Sequence, residues 1–244
     1  MAYDRPMSNQ PQDAAKRAAA EAAAALVRDG MVLGLGTGTT AALWLEALAR
    51  RVRAEGLRIT GVPTSHRTAA NAVRLGIPLI DLTAEVRIDL AIDGADEIER
   101  GSLALIKGLG GALLREKIVA SAAQRLVIIA DTSKEVERLG QIAPVPVEVV
   151  SYGHEVTARR LGELGGKPVL RRDAAGAAFI TDGGNILYDC VGFAPIRDPA
   201  DLQARLDATV GVIESGLFVG LAAEVLVGDS DGAVRILRPD RAGG

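Results

Sequence analysis

The chain has 244 residues, 48% hydrophobic and 24% charged, which is enough for one large domain or two unequal ones in an ordinary globular protein. Its formal net charge of -3 leaves no basic excess to meet a phosphate backbone, so nucleic acid is not expected as a partner and an anionic substrate needs local positive charge. No run approaches the ~18 consecutive apolar residues of a membrane span, and "MAYDRPMSNQPQD" lacks the apolar core of a signal peptide. The single cysteine, Cys190, excludes an internal disulfide framework and fits a cytoplasmic location.

In chain order, residues 1–12 read as a flexible polar tail. Residues 13–29, "DAAKRAAAEAAAALVRD", read as a helix with Asp13 as N-cap and Gly30 ending it. Strand-like and helical runs then alternate. "MVLGLG" precedes the helix "TAALWLEALARRVRAEG", "LRITGVPT" runs into "SHRTAANAVRLG", and "VRIDLAID" runs into a DGADE turn. "KGLGG" opens the helix "ALLREKIVASAAQ", and "RLVIIAD" leads into "TSKEVERLG". Strands apolar on both faces and separated by helices signal a parallel sheet covered on both sides.

Near residue 141 the pattern changes, with Pro144 and Pro146 flanking "VPVEVV". A helix, two or three strands around the turn "TDGGN", and a further helix follow; this order suggests a small ferredoxin-like α+β domain. The tail reads as a hairpin around Asp229 to Gly232 that rejoins the first domain. The expected fold is therefore α/β. A Rossmann-like parallel-sheet domain spans residues 13–140 plus about 210–240, with the smaller domain over about 141–209.

Four polar loops, "GLGTGTT" (34–40), "PTSH" (63–66), "DGADE" (93–97) and "DTSK" (131–134), each directly follow an apolar strand. In an open parallel sheet those positions share one edge, where ligands bind. "GLGTGTT" fails the dinucleotide fingerprint, because Thr39 stands where G-x-G-x-x-G needs its third glycine. It reads either as an anion-binding turn or as a tight strand–helix turn with a threonine cap. "KGLGG" reads equally as an oxyanion site charged by Lys107 or as a flexible connection.

Glu116 has Ala112, Leu113, Val119 and Ala120 as helical neighbours, which would desolvate it and raise its pKa. Arg115 and Lys117 are similarly surrounded, so an internal ion pair fits as well. DGADE does not match a calcium-loop spacing, which leaves a solvated turn or acid–base groups for a sugar phosphate. His66 and His154 are too few and scattered for a zinc site and suit surface or capping roles. Cys190, in a strand-like run, reads as a buried inert thiol.

With these loops in place, the sequence resembles the type A ribose-5-phosphate isomerases from about Ala14 to Leu237. "GLGTGTT", "VPTS", "AIDGADEI", "IKGLGGALLREKIV", "ADTSK", "PVPVEV", "TDGGN" and "GLF" stand in the family order. The resemblance implies a cofactor- and metal-free enzyme that interconverts ribose 5-phosphate and ribulose 5-phosphate as a homodimer or homotetramer. It implies Glu116 as the base moving a proton between C2 and C1. Asp93 and Asp96, with Gly94 and Ala95 between them, would hold sugar hydroxyls, and Asp93 would assist ring opening. Lys107 and the loop Gly108, Leu109 and Gly110 would stabilise the enediolate oxygen. Thr37, Gly38, Thr39, Thr40 and Lys134 would hold the substrate and its phosphate, with Lys16 as a further phosphate ligand. Glu97 is left a structural role. Leu109 and Leu114 depart from residues common in the family, and the tail has no counterpart there. Rival readings are a fold relative, such as a CoA transferase or an amino-sugar phosphate isomerase, and a non-catalytic sugar-phosphate sensor.

Overall fold

The structure, a computed structural model, describes residues 10–240. In the first half of the chain run α1 (Gln10–Ala24), β1 (Val32–Leu35), α2 (Thr39–Glu55), β2 (Thr60–Pro63), α3 (His66–Leu75), β3 (Leu90–Gly94), β4 (Glu97–Glu99), β5 (Leu105–Ile106) and α4 (Leu113–Ala122). Then come β6 (Leu126–Asp131), β7 (Glu135–Val136), β8 (Val145–Val149), α5 (His154–Glu163), β9 (Lys167–Leu170), β10 (Ile186–Val191), α6 (Pro199–Asp207), β11 (Val212–Ser215), β12 (Leu217–Phe218), β13 (Ala222–Gly228) and β14 (Val234–Leu237).

The main sheet has the order β14-β13-β6-β3-β1-β2, parallel except for the antiparallel edge strand β14. Its central strands are largely apolar because both faces are covered. On β6, Val127 and Ile129 join Trp44 and Leu33 in one core, while Ile128 and Ala130 join Val225 and Phe218 in another. The chain moves outward from β1 to β2 and then returns past β1 to β3. That reversal opens a crevice between the carboxyl ends of β1 and β3, the usual ligand position in such sheets.

The second sheet, β11-β8-β10-β9, is antiparallel, with α5 and α6 as its crossovers, and this is the ferredoxin-like order expected. A short third sheet, β12-β5-β4-β7, is built from stretches between the strands of the other two and carries Lys107 just beyond β5.

Several boundaries differ from the sequence reading. The first helix begins at Gln10 and ends at Ala24, so Asp13 lies in its first turn instead of capping it, and Gly30 follows a further turn. Residues 1–9 of the expected tail lie outside the described residues, and residues 10–12 belong to α1. DGADE is not a free turn, because Gly94 closes β3 and Glu97 opens β4. After β6, "TSKEVERLG" forms a 3-10 turn at Thr132–Lys134 and the strand β7. The second sheet takes its fourth strand from Val212–Ser215, so the chain leaves it after residue 215 and not near 209.

Candidate active site

At the crevice, Gly36 lies so close to β3 that a Cβ would overlap the Asp93 carboxylate. This approach lets Thr37 N–H and Gly94 N–H both donate to Asp93 Oδ1, at 3.0 and 2.8 Å. The other carboxylate oxygen, Oδ2, lies 2.9 Å from Lys107 Nζ. Lys107 also donates to Gly94 O at 2.7 Å and stands 3.2 Å from Glu116 Oε2. That Glu116 oxygen is buried, and although the ammonium is near, it has no aligned hydrogen bond. Asp93, Lys107 and Glu116 are 4%, 2% and 3% exposed, so water screens these charges little.

Two carboxylates thus share one ammonium in a dry site. Burial pushes Glu116 up to about 8; Lys107 pulls it back, and the charges of Asp93 and Asp96 push it further up. Asp93 is also raised by burial, but Lys107 and the two backbone N–H groups oppose that rise. Burial alone would lower Lys107, yet the adjacent Asp93 and Glu116 outweigh it and hold the ammonium charged. Asp93 has the better-matched partners, so Glu116 is the carboxylate whose charge is less fully met.

Helix α4 separates the three residues that its periodicity left equivalent. Arg115 turns outward to the Asp182 carbonyl at 3.2 Å, while Lys117 turns to Glu214 at 2.6 Å and to Ser215 O. Only Glu116 reaches Lys107.

The cavity in front of this cluster measures about 110 Å³ and is lined by Lys16, Thr37, Gly38, Thr39, Thr40, Gly94, Ala95, Asp96, Lys107, Gly108, Gly110, Glu116 and Lys134. Two expected residues do not line it. Asp93 sits behind Lys107 with both oxygens engaged, so it is not placed as a hydroxyl ligand in the cavity wall. Leu109 is 42% exposed and contributes its N–H to Asp96 Oδ2 at 3.0 Å. A wider groove of about 460 Å³ between α2 and α3 adjoins the cavity, but no carboxylate or lysine lines it, so the proton chemistry belongs to the smaller space.

One end of the cavity suits an anion. Gly38, at φ +126°, precedes α2, and no side chain caps that helix, contrary to a threonine cap. Its first N–H groups and dipole therefore face the cavity unneutralised. Lys16 from α1 and Lys134 from the turn after β6 line the same cavity, and neither forms an ion pair among the described residues. Asp131 secures that turn by accepting from Ser133 N–H at 3.0 Å.

The hydroxyls of "VPTS" carry no role that is legible in the sequence. Thr37 Oγ1 lies 2.7 Å from Thr64 Oγ1, 2.9 Å from Ser65 Oγ and 3.0 Å from Thr68 Oγ1, all buried. This knot ties the glycine turn to α3; the run of hydroxyls after two adjacent strands is the only sequence signal for it. Glu97 accepts from Gly140 N–H and Ala143 N–H at 2.6 Å, and also from Ile142 N–H, so its carboxylate is spent on the backbone. His66 and His154 each open a helix, and His154 Nδ1 meets Tyr188 OH at 2.7 Å. Burial pushes the Cys190 thiol up to about 12, as an inert core thiol requires.

A buried carboxylate beside a fixed ammonium, in a cavity that an uncapped helix start and two further lysines line, equips the chain as an acid–base enzyme of small phosphorylated substrates. The family model of ribose 5-phosphate isomerase A (phosphoriboisomerase A) matches residues 60–232. The ribose-5-phosphate isomerase A of Gluconobacter oxydans is 56% identical over 93% of this chain and 97% of its own length, and that of Caulobacter vibrioides is 50% identical over 92% and 98%. The solved ribose 5-phosphate isomerase A of Methanocaldococcus jannaschii superposes with a TM-score of 0.87 at 42% identity, covering 93% of this chain and 98% of that one. A D-ribose-5-phosphate isomerase solved with phospho-erythronic acid gives 0.89 at 36% identity, covering 93% and 99%. The chain belongs to the ribose 5-phosphate isomerase A family.

Proposed function

We propose that this chain interconverts D-ribose 5-phosphate and D-ribulose 5-phosphate through an enediolate, with Glu116 as the base. The observation that carries the reading is Glu116 itself, buried, raised to about 8, and 3.2 Å from a lysine ammonium. Lys16, Lys134 and the N–H groups of Thr39 and Thr40 take the phosphate, whose binding energy positions the sugar. Asp96 holds sugar hydroxyls at the cavity wall. Asp93 backs Lys107 and assists ring opening from there. Glu116 then removes the proton from C2 of the open aldose. The electron pair moves into the C1–C2 bond, and the carbonyl oxygen gains negative charge beside Lys107 and the Gly108–Gly110 loop. The same carboxyl returns its proton to C1 while the hydroxyl proton passes from O2 to O1, giving the ketose with atoms balanced.

We further read the protein as a cytoplasmic homodimer or homotetramer, working without a metal or cofactor. The single buried thiol supports the compartment, and the family resemblance supports the assembly. The decisive experiment is turnover of ribose 5-phosphate in the presence of EDTA by the wild type and Glu116→Gln. The wild type is expected to keep its rate and the variant to lose about 10³-fold or more. A wild type without turnover overturns the assignment, and a variant with an intact rate moves the base elsewhere.

A further inference from the structure

The Gly108–Gly110 loop is held from the second sheet. Arg171, one residue beyond β9, donates from Nη1 to Gly108 O at 3.0 Å and to Leu109 O at 3.1 Å. The rest of the fork is fixed by Asp189 on β10, with Nε–Oδ2 at 2.9 Å and Nη2 on Oδ1. The Arg171 side chain is only 11% exposed, and Phe179 flanks the guanidinium while its ring fills the space against Gly111.

The geometry has a directional consequence. In a trans peptide the C=O and the following N–H point opposite ways. Gly108 O faces Arg171, and accordingly Leu109 N–H faces the other side, where it meets Asp96 at 3.0 Å. Leu109 O also faces Arg171, so Gly110 N–H is turned to that same side, where Asp96 and Gly110 line the cavity. Among the described residues Gly110 N–H has no hydrogen-bond acceptor. A loop of three glycines has little intrinsic preference for this arrangement, because glycine flips its peptide planes at low cost. A flipped plane would aim a carbonyl at the oxyanion and repel it.

We propose that Arg171, aligned by Asp189, is a positioning residue that holds two successive carbonyls away from the cavity, so that Gly110 N–H is presented to the developing enediolate oxygen. This rests on the reading of the cavity as an enediolate site. Arg171 touches no substrate, and its charge is neutralised by Asp189, so it acts through the loop. A lysine would keep the pairing with Asp189 but lacks the planar fork that holds the carboxylate with Nε and Nη2 while Nη1 meets both carbonyls.

The test compares Arg171→Met, Arg171→Lys and Asp189→Asn with the wild type. It uses kcat and KM for ribose 5-phosphate, inhibition by phospho-erythronic acid, and amide hydrogen exchange over residues 107–111. Both Arg171 variants are expected to lose about 10- to 100-fold in kcat with KM within about threefold, and to bind the inhibitor correspondingly more weakly. Exchange at 107–111 should rise, and Asp189→Asn should fall between the variants and the wild type. A folded Arg171→Lys with kcat and inhibitor affinity near wild type overturns the proposal, as does a loss confined to KM. If Arg171→Met fails to fold, Arg171→Lys carries the decision. A wild type that does not turn over defeats the isomerase reading instead, and loop exchange in Arg171→Lys then still decides whether the arginine orders the loop.

Discussion

Lys107 is one ammonium set against two buried carboxylates, so the site carries an excess negative charge whenever both are ionised. For activity this fixes a direction. Glu116 must be ionised to accept a proton, so kcat/KM is expected to climb with pH through about 8 and then level, as a pH–rate profile will show. For stability the sign is opposite. The folded pKa of Glu116 is raised, so between the ordinary value of 4.5 and about 8 the folded state binds more protons than the unfolded one. Stability from this group is therefore greatest below 4.5, falls as pH rises through that window, and is constant above it. Glu116→Gln removes the excess charge and leaves Lys107 paired with Asp93. Its melting temperature is expected to exceed that of the wild type by roughly a few degrees at pH 9, with the gap closing at pH 5. A gap that does not depend on pH would show that Glu116 is not the group titrating.

At the scale of elements, the glycine turn after β1 is only as good as its anchor on α3. Ser65 caps that helix by accepting from Thr68 N–H at 3.0 Å and also receives the Thr37 hydroxyl. Ser65→Ala is expected to cost about 1 kcal/mol in urea unfolding and to lower kcat/KM as well, since Thr37 loses one of its fixings. The strand–loop–helix alternation was legible because strands buried on both faces are continuous apolar runs, and so was the gathering of loops at one edge. In DGADE the structural role of Glu97 was legible but its partners were not, because they are N–H groups at residues 140 to 143, a pairing that local sequence does not encode. Arg115, Glu116 and Lys117 were indistinguishable for a related reason. What separates them is which neighbouring element each faces, namely Asp182, Lys107 or Glu214. Arg171 gave no signal at all, being one arginine among many until the second sheet sets it against the glycine loop.

For the whole molecule, a net charge of -3 opposes a phosphorylated substrate, and the cavity answers with charges brought from far apart in the chain. Lys16 comes from α1 and Lys134 from beyond β6. Lys134→Ala is expected to raise KM for ribose 5-phosphate about tenfold or more. Added salt should lower kcat/KM of the wild type more steeply than that of the variant, as steady-state kinetics at several ionic strengths will show.

The position of α1 has a consequence in time. This helix is made before the strands β6 and β13 on which, besides α2, it rests, and Gly228 lies so close to Ala15 O that a side chain there would hold the helix off. The β13 part of its seat therefore does not exist until the ribosome has released residue 228. Lys107 waits for the same stretch of chain, because β5 pairs with β12 and Lys107 N–H donates to Gly216 O at 2.8 Å. Lys107 and Lys16 therefore both reach their final places only when the last strands are made.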